Sequence, residues 1–219
     1  MTVGIRVPAH PLAQRVLALT GGAFVAPSAN RYGRVSPSTA EHVLDDLGEL
    51  LDPARDVILD GGAATVGVES TIIDCTVTPP QILRPGGIPT ERIIEVMTGA
   101  VGAAPGGRHD VLAPVTGASR AAGMVTSHYA PRADVHLVAA AAAAEATAVR
   151  LRAAGRRVRV IDGTADVARY ARTLYAELRA ADRDGCTDVV AVLPPAVGLG
   201  AAIRDRLQKA AATTVRAAR

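Results

Sequence analysis

The C-terminal part of the chain alternates strand and helix three times, and this constrains the fold more than any other feature. β-Branched runs predict strands at 134–140, 156–162 and 187–195, and amphipathic or Ala-rich segments follow each one. Strands separated by helices pair in parallel, so residues 134–219 predict a small Rossmann-like three-layer α/β/α domain. The last residues, 213–219, are expected to form a frayed tail.

The N-terminal part mixes strands and helices without a strict alternation, which indicates an α/β or α+β domain. Glycine stops and apolar periodicity predict three helices, and Ser38 with Glu41 forms a predicted capping box at the start of the second. The predicted helices span 11–22, 38–48 and 90–97. The predicted strands span 3–8, 23–27, 56–62, 70–75 and 81–87.

Residues 99–133 lack a sustained period and are rich in Gly, Ala, Pro and Ser, which is typical of a linker. The predicted organisation is therefore a first domain at 1–98, a linker at 99–133 and a second domain at 134–219. The linker carries the segment HYAPR, which is unusual for a passive connection.

Composition and motifs exclude several classes of protein. No apolar run approaches the ~18 residues of a membrane span, and the first ten residues lack the segments of a signal peptide. Cys75 and Cys186 lie far apart, as expected for reduced thiols in the cytoplasm. With no Trp, one Phe and four Tyr, the chain has few side chains that can stack on bases, and its net charge is only +3, so direct RNA binding is expected to be weak or absent. It has no P-loop, dinucleotide fingerprint or zinc motif.

Polar side chains follow several predicted strands, where backbone N–H groups favour anionic ligands. Ser28, Asn30 and Ser36 come after the predicted strand at 23–27, Ser70 follows VGVE, and Arg84 precedes PGG. Hydroxyls beside arginines suit phosphate or carboxylate groups. Each has a structural alternative, because serines cap helices, Asn favours turns and an arginine before Pro-Gly can lie on the surface. The residues alone predict only an anion site in an α/β domain.

Five segments occur in an order that resembles the YrdC-type threonylcarbamoyl-AMP synthase family. They are VGIRVPAHP, APSANRYGRVSPSTAEHV, ILDGG, VGVESTIID and ILRPGGI. The later GMVTSHYAPRA and the C-terminal helices resemble the two-domain form. The resemblance implies a nucleotidyltransferase that makes threonylcarbamoyl-AMP and pyrophosphate from L-threonine, bicarbonate and ATP, with Mg²⁺ accompanying the ATP. Partner proteins then transfer the threonylcarbamoyl group to tRNA.

The resemblance also assigns site residues, although it assigns no catalytic base and no metal ligand. On the threonine side it places Arg6, Ala26 and Ser70. On the ATP side it places Thr2, Ser28, Asn30, Ser36, Arg84 and Tyr129. Tyr129, within HYAPR, is expected to act as a lid over the nucleotide.

One departure from the family pattern limits the expected activity. Family members begin well before VGIRVP, and their earlier portion supplies core strands together with a lysine and an arginine that contact ATP. The first domain is therefore expected to be an incomplete YrdC-like twisted-sheet domain, with weak or no activity. Two alternatives stay open, a non-enzymatic remnant or binding protein and a carbamoyl transferase that shares the YrdC-type domain.

Overall fold

A computed structural model describes residues 2–98 and 129–217 of the 219-residue chain. In its N-terminal part, the three predicted helices and one predicted hairpin are present. The helices are α1 (Pro11–Thr20), α2 (Ala40–Leu47) and α3 (Thr90–Thr98), and a short 3₁₀ turn (Gly48–Leu50) follows α2. Strands β1 (Ile72–Asp74) and β2 (Gln81–Arg84) pair antiparallel, with Ile72 opposite Arg84.

The C-terminal part confirms the predicted three-layer arrangement. Its elements are β3 (Asp134–Val138), α4 (Ala141–Ala153), β4 (Val158–Ile161), α5 (Val167–Arg183), β5 (Asp188–Val192) and α6 (Leu199–Ala217). The parallel sheet has the order β3-β5-β4, and every residue of the central β5 is buried. Alternate β5 side chains pack against α4 on one face and against α5 and α6 on the other.

Three predicted strands are wrong, and α6 runs further than expected. Residues 3–8, 23–27 and 56–62 form no strand, and Val3, Ile5 and Val25 are 82%, 85% and 98% exposed. Strand hydrogen bonds need a neighbouring strand, and none of the described residues supplies one. At the C-terminus, residues 213–217 continue α6 instead of fraying.

The N-cap of α2 is Thr39, one residue after the predicted Ser38. Thr39 has an extended backbone, and its hydroxyl accepts a hydrogen bond from the His42 N–H at 3.2 Å. Ser38 turns its hydroxyl to the His42 ring instead, with 3.2 Å between Oγ and Nδ1. The capping function is therefore present but is carried by the neighbouring hydroxyl.

The two parts of the chain contact each other along α5. The Arg179 guanidinium donates to the Val35 carbonyl at 2.6 Å and pairs with Asp46. The Ala130 N–H donates to the Gly33 carbonyl at 3.1 Å, so the chain entering the second part returns to the loop before α2. The predicted boundaries at 98/99 and 133/134 stay predictions, since residues 99–128 lie outside the described part of the chain. No helix among the described residues is long and apolar enough to cross a membrane.

Candidate functional site

Ser36 and Glu69 bring two predicted site loops together. Ser36 lies before α2, is only 7% exposed, and donates its hydroxyl hydrogen to Glu69 Oε1 at 2.8 Å. Glu69 is the acidic residue of VEST, immediately before Ser70. Ser36, which is predicted to bind ATP, is thus held close to Ser70, which is predicted to bind L-threonine, by one hydrogen bond to Glu69.

Arg84 fixes the backbone of the same loop. It ends β2, is 3% exposed, and donates from Nη2 and Nε to the Ser70 carbonyl at 2.9 and 3.3 Å. The Gly87 N–H donates to the Glu69 carbonyl at 2.9 Å. A side chain on Gly86 would place its Cβ 2.3 Å from that same carbonyl oxygen. The PGG turn therefore needs a residue without Cβ to lie this close to VEST.

Tyr129, the predicted lid residue, is buried at the junction of the two parts. It is 1% exposed, and its φ of +63° places it in the left-handed region, which is uncommon for a residue other than glycine. Its ring stacks on Tyr175 with the centroids 5.6 Å apart, and the Arg206 guanidinium lies 5.3 Å from the ring centroid. The Tyr129 side chain is therefore packed inside the protein, against Tyr175 and Arg206.

Asn30 shapes the loop that carries Ser36. Its amide nitrogen donates to the carbonyls of Arg31 and Arg34 at 2.9 and 3.1 Å. Its Oδ1 is buried and has no hydrogen-bond partner among the described residues. Asn30 holds this turn through its side chain and not through a left-handed backbone, because Tyr129 is the one non-glycine residue with a positive φ in the described part of the chain. Its predicted contact with ATP stays a prediction.

The other predicted site residues are exposed. Thr2, Arg6, Ala26 and Ser28 lie in or next to the unpaired segments 3–8 and 23–27, and none of their side chains forms a hydrogen bond with the loops described above. The Ser70 side chain is also exposed, although its backbone is held by Arg84. The structure thus brings Ser36, Ser70, Arg84 and Tyr129 together, but not the four predicted site residues before residue 30.

The charges at this junction are stabilised as ions. Burial alone would raise the pKa of Glu69, but the charge and hydrogen bonds of Arg206, together with Ser36, outweigh it and lower that pKa. Burial opposes the charge of Arg206, yet Glu69 beside it raises the pKa of the guanidinium. Burial, followed by the Glu69 charge, raises the pKa of the Tyr175 hydroxyl, so it stays protonated and donates.

Sequence reasoning missed Glu69, Tyr175 and Arg206. Glu69 lies within the segment VGVESTIID, but the resemblance assigns a role only to its neighbour Ser70. Arg206 follows Ile203 by three residues and precedes Leu207, so it falls on the apolar face of α6. A charged residue on such a face signals a buried ion pair, although its partner cannot be read from the helix alone.

The fold and these loops define a two-domain protein with a YrdC-type first part and an α/β second part. Residues 1–86 match the family described as "Telomere recombination", which comprises Sua5, YciO and YrdC sequences. Residues 88–212 match the family described as "Threonylcarbamoyl-AMP synthase, C-terminal domain". The chain therefore belongs to the two-domain threonylcarbamoyl-AMP synthase family.

Individual relatives agree with this family. The chain is 36% identical to the threonylcarbamoyl-AMP synthase of Pyrococcus abyssi over 95% of its own length and 64% of the relative. It is 35% identical to the Bacillus subtilis synthase over 96% of its length and 63% of the relative. It superposes on P. abyssi Sua5 complexed with L-threonine with a TM-score of 0.76 at 32% identity, covering 95% of this chain and 64% of that one. The chain thus spans just under two thirds of these relatives.

Proposed function

We propose that this chain catalyses the threonylcarbamoyl-AMP synthase reaction, in which L-threonine, bicarbonate and ATP give threonylcarbamoyl-AMP and pyrophosphate. The observation that carries the proposal is the convergence of three loops, SPS, VEST and LRPGG, through Ser36, Glu69, Ser70 and Arg84. The match to Sua5 complexed with L-threonine covers 95% of this chain and supports the substrate assignment.

The residues suit the charge changes of this reaction. The threonine amine takes up CO2 as a carbamate, whose oxygen attacks the α-phosphorus of ATP while pyrophosphate leaves. Negative charge moves onto phosphoryl oxygens, and donors fixed in advance stabilise it better than mobile ones. Ser36 and Arg84 would act on the nucleotide side, and Ser70 would hold L-threonine. The Arg84 guanidinium would bind the nucleotide and would also fix the loop that carries Ser70.

Mg²⁺ is proposed only as part of the ATP complex, where it would neutralise phosphate charge. No group of three or more His, Cys, Asp or Glu among the described residues could hold a metal ion. The carboxylate of Glu69 already accepts from Ser36, Tyr175 and Arg206. The described residues therefore do not fit a resident metal. By the same proposal, the product passes to tRNA threonylcarbamoyl-transferase proteins in the cytoplasm.

The test is detection of threonylcarbamoyl-AMP by mass spectrometry, with protein in excess over ATP so that even a slow single turnover is visible. Product should form with L-threonine and bicarbonate present and disappear when either is omitted. ATP hydrolysis that is independent of threonine, with no adduct, would contradict the proposal. A chain that neither forms the adduct nor binds ATP would favour the non-enzymatic alternative.

A further inference from the structure

The Glu69 carboxylate joins the two parts of the chain at one point. From the first part it accepts the Ser36 hydroxyl hydrogen at 2.8 Å. From α5 it accepts the Tyr175 hydroxyl hydrogen, with 2.9 and 2.8 Å to its two oxygens. From α6 it accepts Arg206 Nε at 2.8 Å. We call Ser36, Glu69, Tyr129, Tyr175 and Arg206 the Glu69 cluster.

Arg206 extends the cluster to the glycine turn. It is fully buried, and its Nη1 donates to the Pro85 carbonyl at 2.9 Å, directly after Arg84. One guanidinium of the second part thus contacts both VEST and LRPGG. A fully buried arginine is costly unless it is paired, and truncating one partner of such a pair is strongly destabilising. This arrangement therefore fixes the two loops relative to α6.

Glycine allows the close approach that this contact requires. Gly67 has a φ of +81°, and a Cβ there would lie 2.3 Å from the Ala171 carbonyl oxygen of α5. The loop that leads into Glu69 therefore rests directly on the helix that carries Tyr175. The packing and the hydrogen bonds point to the same contact, independently of each other.

We infer that the second domain positions the substrate loops of the first, with Tyr175 and Arg206 acting through Glu69. Glu69, Tyr175 and Arg206 are positioning residues, since none of them needs to touch substrate for this role. The inference rests on the proposed function for what the loops bind, but the coupling itself is a property of the chain without ligand. It assigns to the second domain a task that its sequence did not suggest.

Two tyrosines on α5 provide a matched experiment. Tyr175→Phe removes the hydroxyl that reaches Glu69 and keeps the ring against Tyr129. Tyr170→Phe removes an equally buried hydroxyl that donates to the Val192 carbonyl at 3.0 Å inside the second domain. Hydrogen exchange of the full chain without ligand is followed by mass spectrometry for residues 34–38 and 69–72.

Tyr175→Phe should speed exchange in these two segments roughly tenfold, and Tyr170→Phe should not. Equal effects of both variants, or no effect of either, would overturn the inference. Glu69→Gln serves as a second variant if Tyr175→Phe does not fold, because it changes the acceptor from the side of the first domain. It should speed exchange in the same two segments, and unchanged exchange there would also overturn the inference.

Substrate binding is measured separately by titrating L-threonine into the three proteins below their melting temperatures. Weaker binding to Tyr175→Phe than to Tyr170→Phe supports positioning, and equal binding overturns it. A wild-type chain that binds no L-threonine would contradict the proposed function alone. The exchange comparison would still decide whether the second domain holds the loops.

Discussion

Arg84 is a buried arginine whose guanidinium is bound to the backbone. Its substitution should therefore affect both the predicted ATP site and the predicted L-threonine site. Arg84→Ala should impair ATP use, as the resemblance predicts, and also weaken L-threonine binding, because the Ser70 carbonyl loses two donors. Hydrogen bonds from charged groups contribute about 1.5–3 kcal/mol, so we expect losses of roughly tenfold to a hundredfold. Separate calorimetric titrations of ATP and L-threonine measure them.

The control for Arg84→Ala is Arg204→Ala on α6. Arg204 is half-buried and donates to the Pro194 carbonyl at 2.9 Å, so the same kind of contact is lost outside the site. A melting curve of each variant separates stability from binding. Unchanged affinities for both ligands in Arg84→Ala would remove LRPGG from the proposed site.

Glu69 makes the stability of the chain depend on acidity. Its pKa is lowered in the folded protein from a usual value of 4.5, so its stabilising contribution is complete above that value and is lost as pH falls through the folded pKa. Glu69→Gln should be less stable at neutral pH, because the buried Arg206 then keeps only Asp205 as a charged partner among the described residues. Its melting temperature should also fall less than that of the wild type as the pH is lowered below 4.5. Parallel acid curves for the two proteins would contradict this assignment.

At the scale of elements, the contact between the VEST loop and α5 can be tested with two glycines. Gly67 and Gly62 have φ values of +81° and +82°. Alanine at either position should therefore lower the free energy of unfolding by about 1–2 kcal/mol, because of strain in the left-handed backbone. Only at Gly67 does the new Cβ collide with α5, whereas nothing lies within 4 Å at Gly62. Gly67→Ala should therefore lose about 1–3 kcal/mol more in free energy of unfolding.

Chemical denaturation of the two variants measures that difference. Equal losses would mean that the loop can move off α5 at little cost. The Glu69 cluster would then depend on its hydrogen bonds alone.

At the scale of the whole molecule, the predicted site residues nearest the N-terminus limit the rate of pyrophosphate release that we expect. Thr2, Arg6, Ala26 and Ser28 are exposed, in or beside segments that pair with no described strand. Poorly placed contacts can cost roughly a hundredfold in rate, so pyrophosphate release by this chain should be at least that much slower than by the B. subtilis synthase assayed beside it. A comparable rate would show that these four residues are not needed in fixed positions.

The sequence predicted the local elements and part of the site. The spacing of apolar residues and the glycine stops gave α1, α2 and α3, and the alternation after residue 134 gave the parallel sheet with helices on both faces. The motifs marked Ser36, Ser70 and Arg84, which the structure brings together. They did not mark Tyr175 or Arg206, because a buried hydroxyl and a buried charge are defined by partners more than a hundred residues away.

What the sequence determined by itself is helical structure, since helical hydrogen bonds close within one segment and depend on local residues. Only the tertiary structure decided which extended segments become strands. Residues 3–8 and 70–75 both have strand-forming composition, yet only the second finds a partner, in β2. The same dependence on distant contacts decided that Glu69 is an ionised link between domains, because its charge is stabilised by a guanidinium that only folding brings to it.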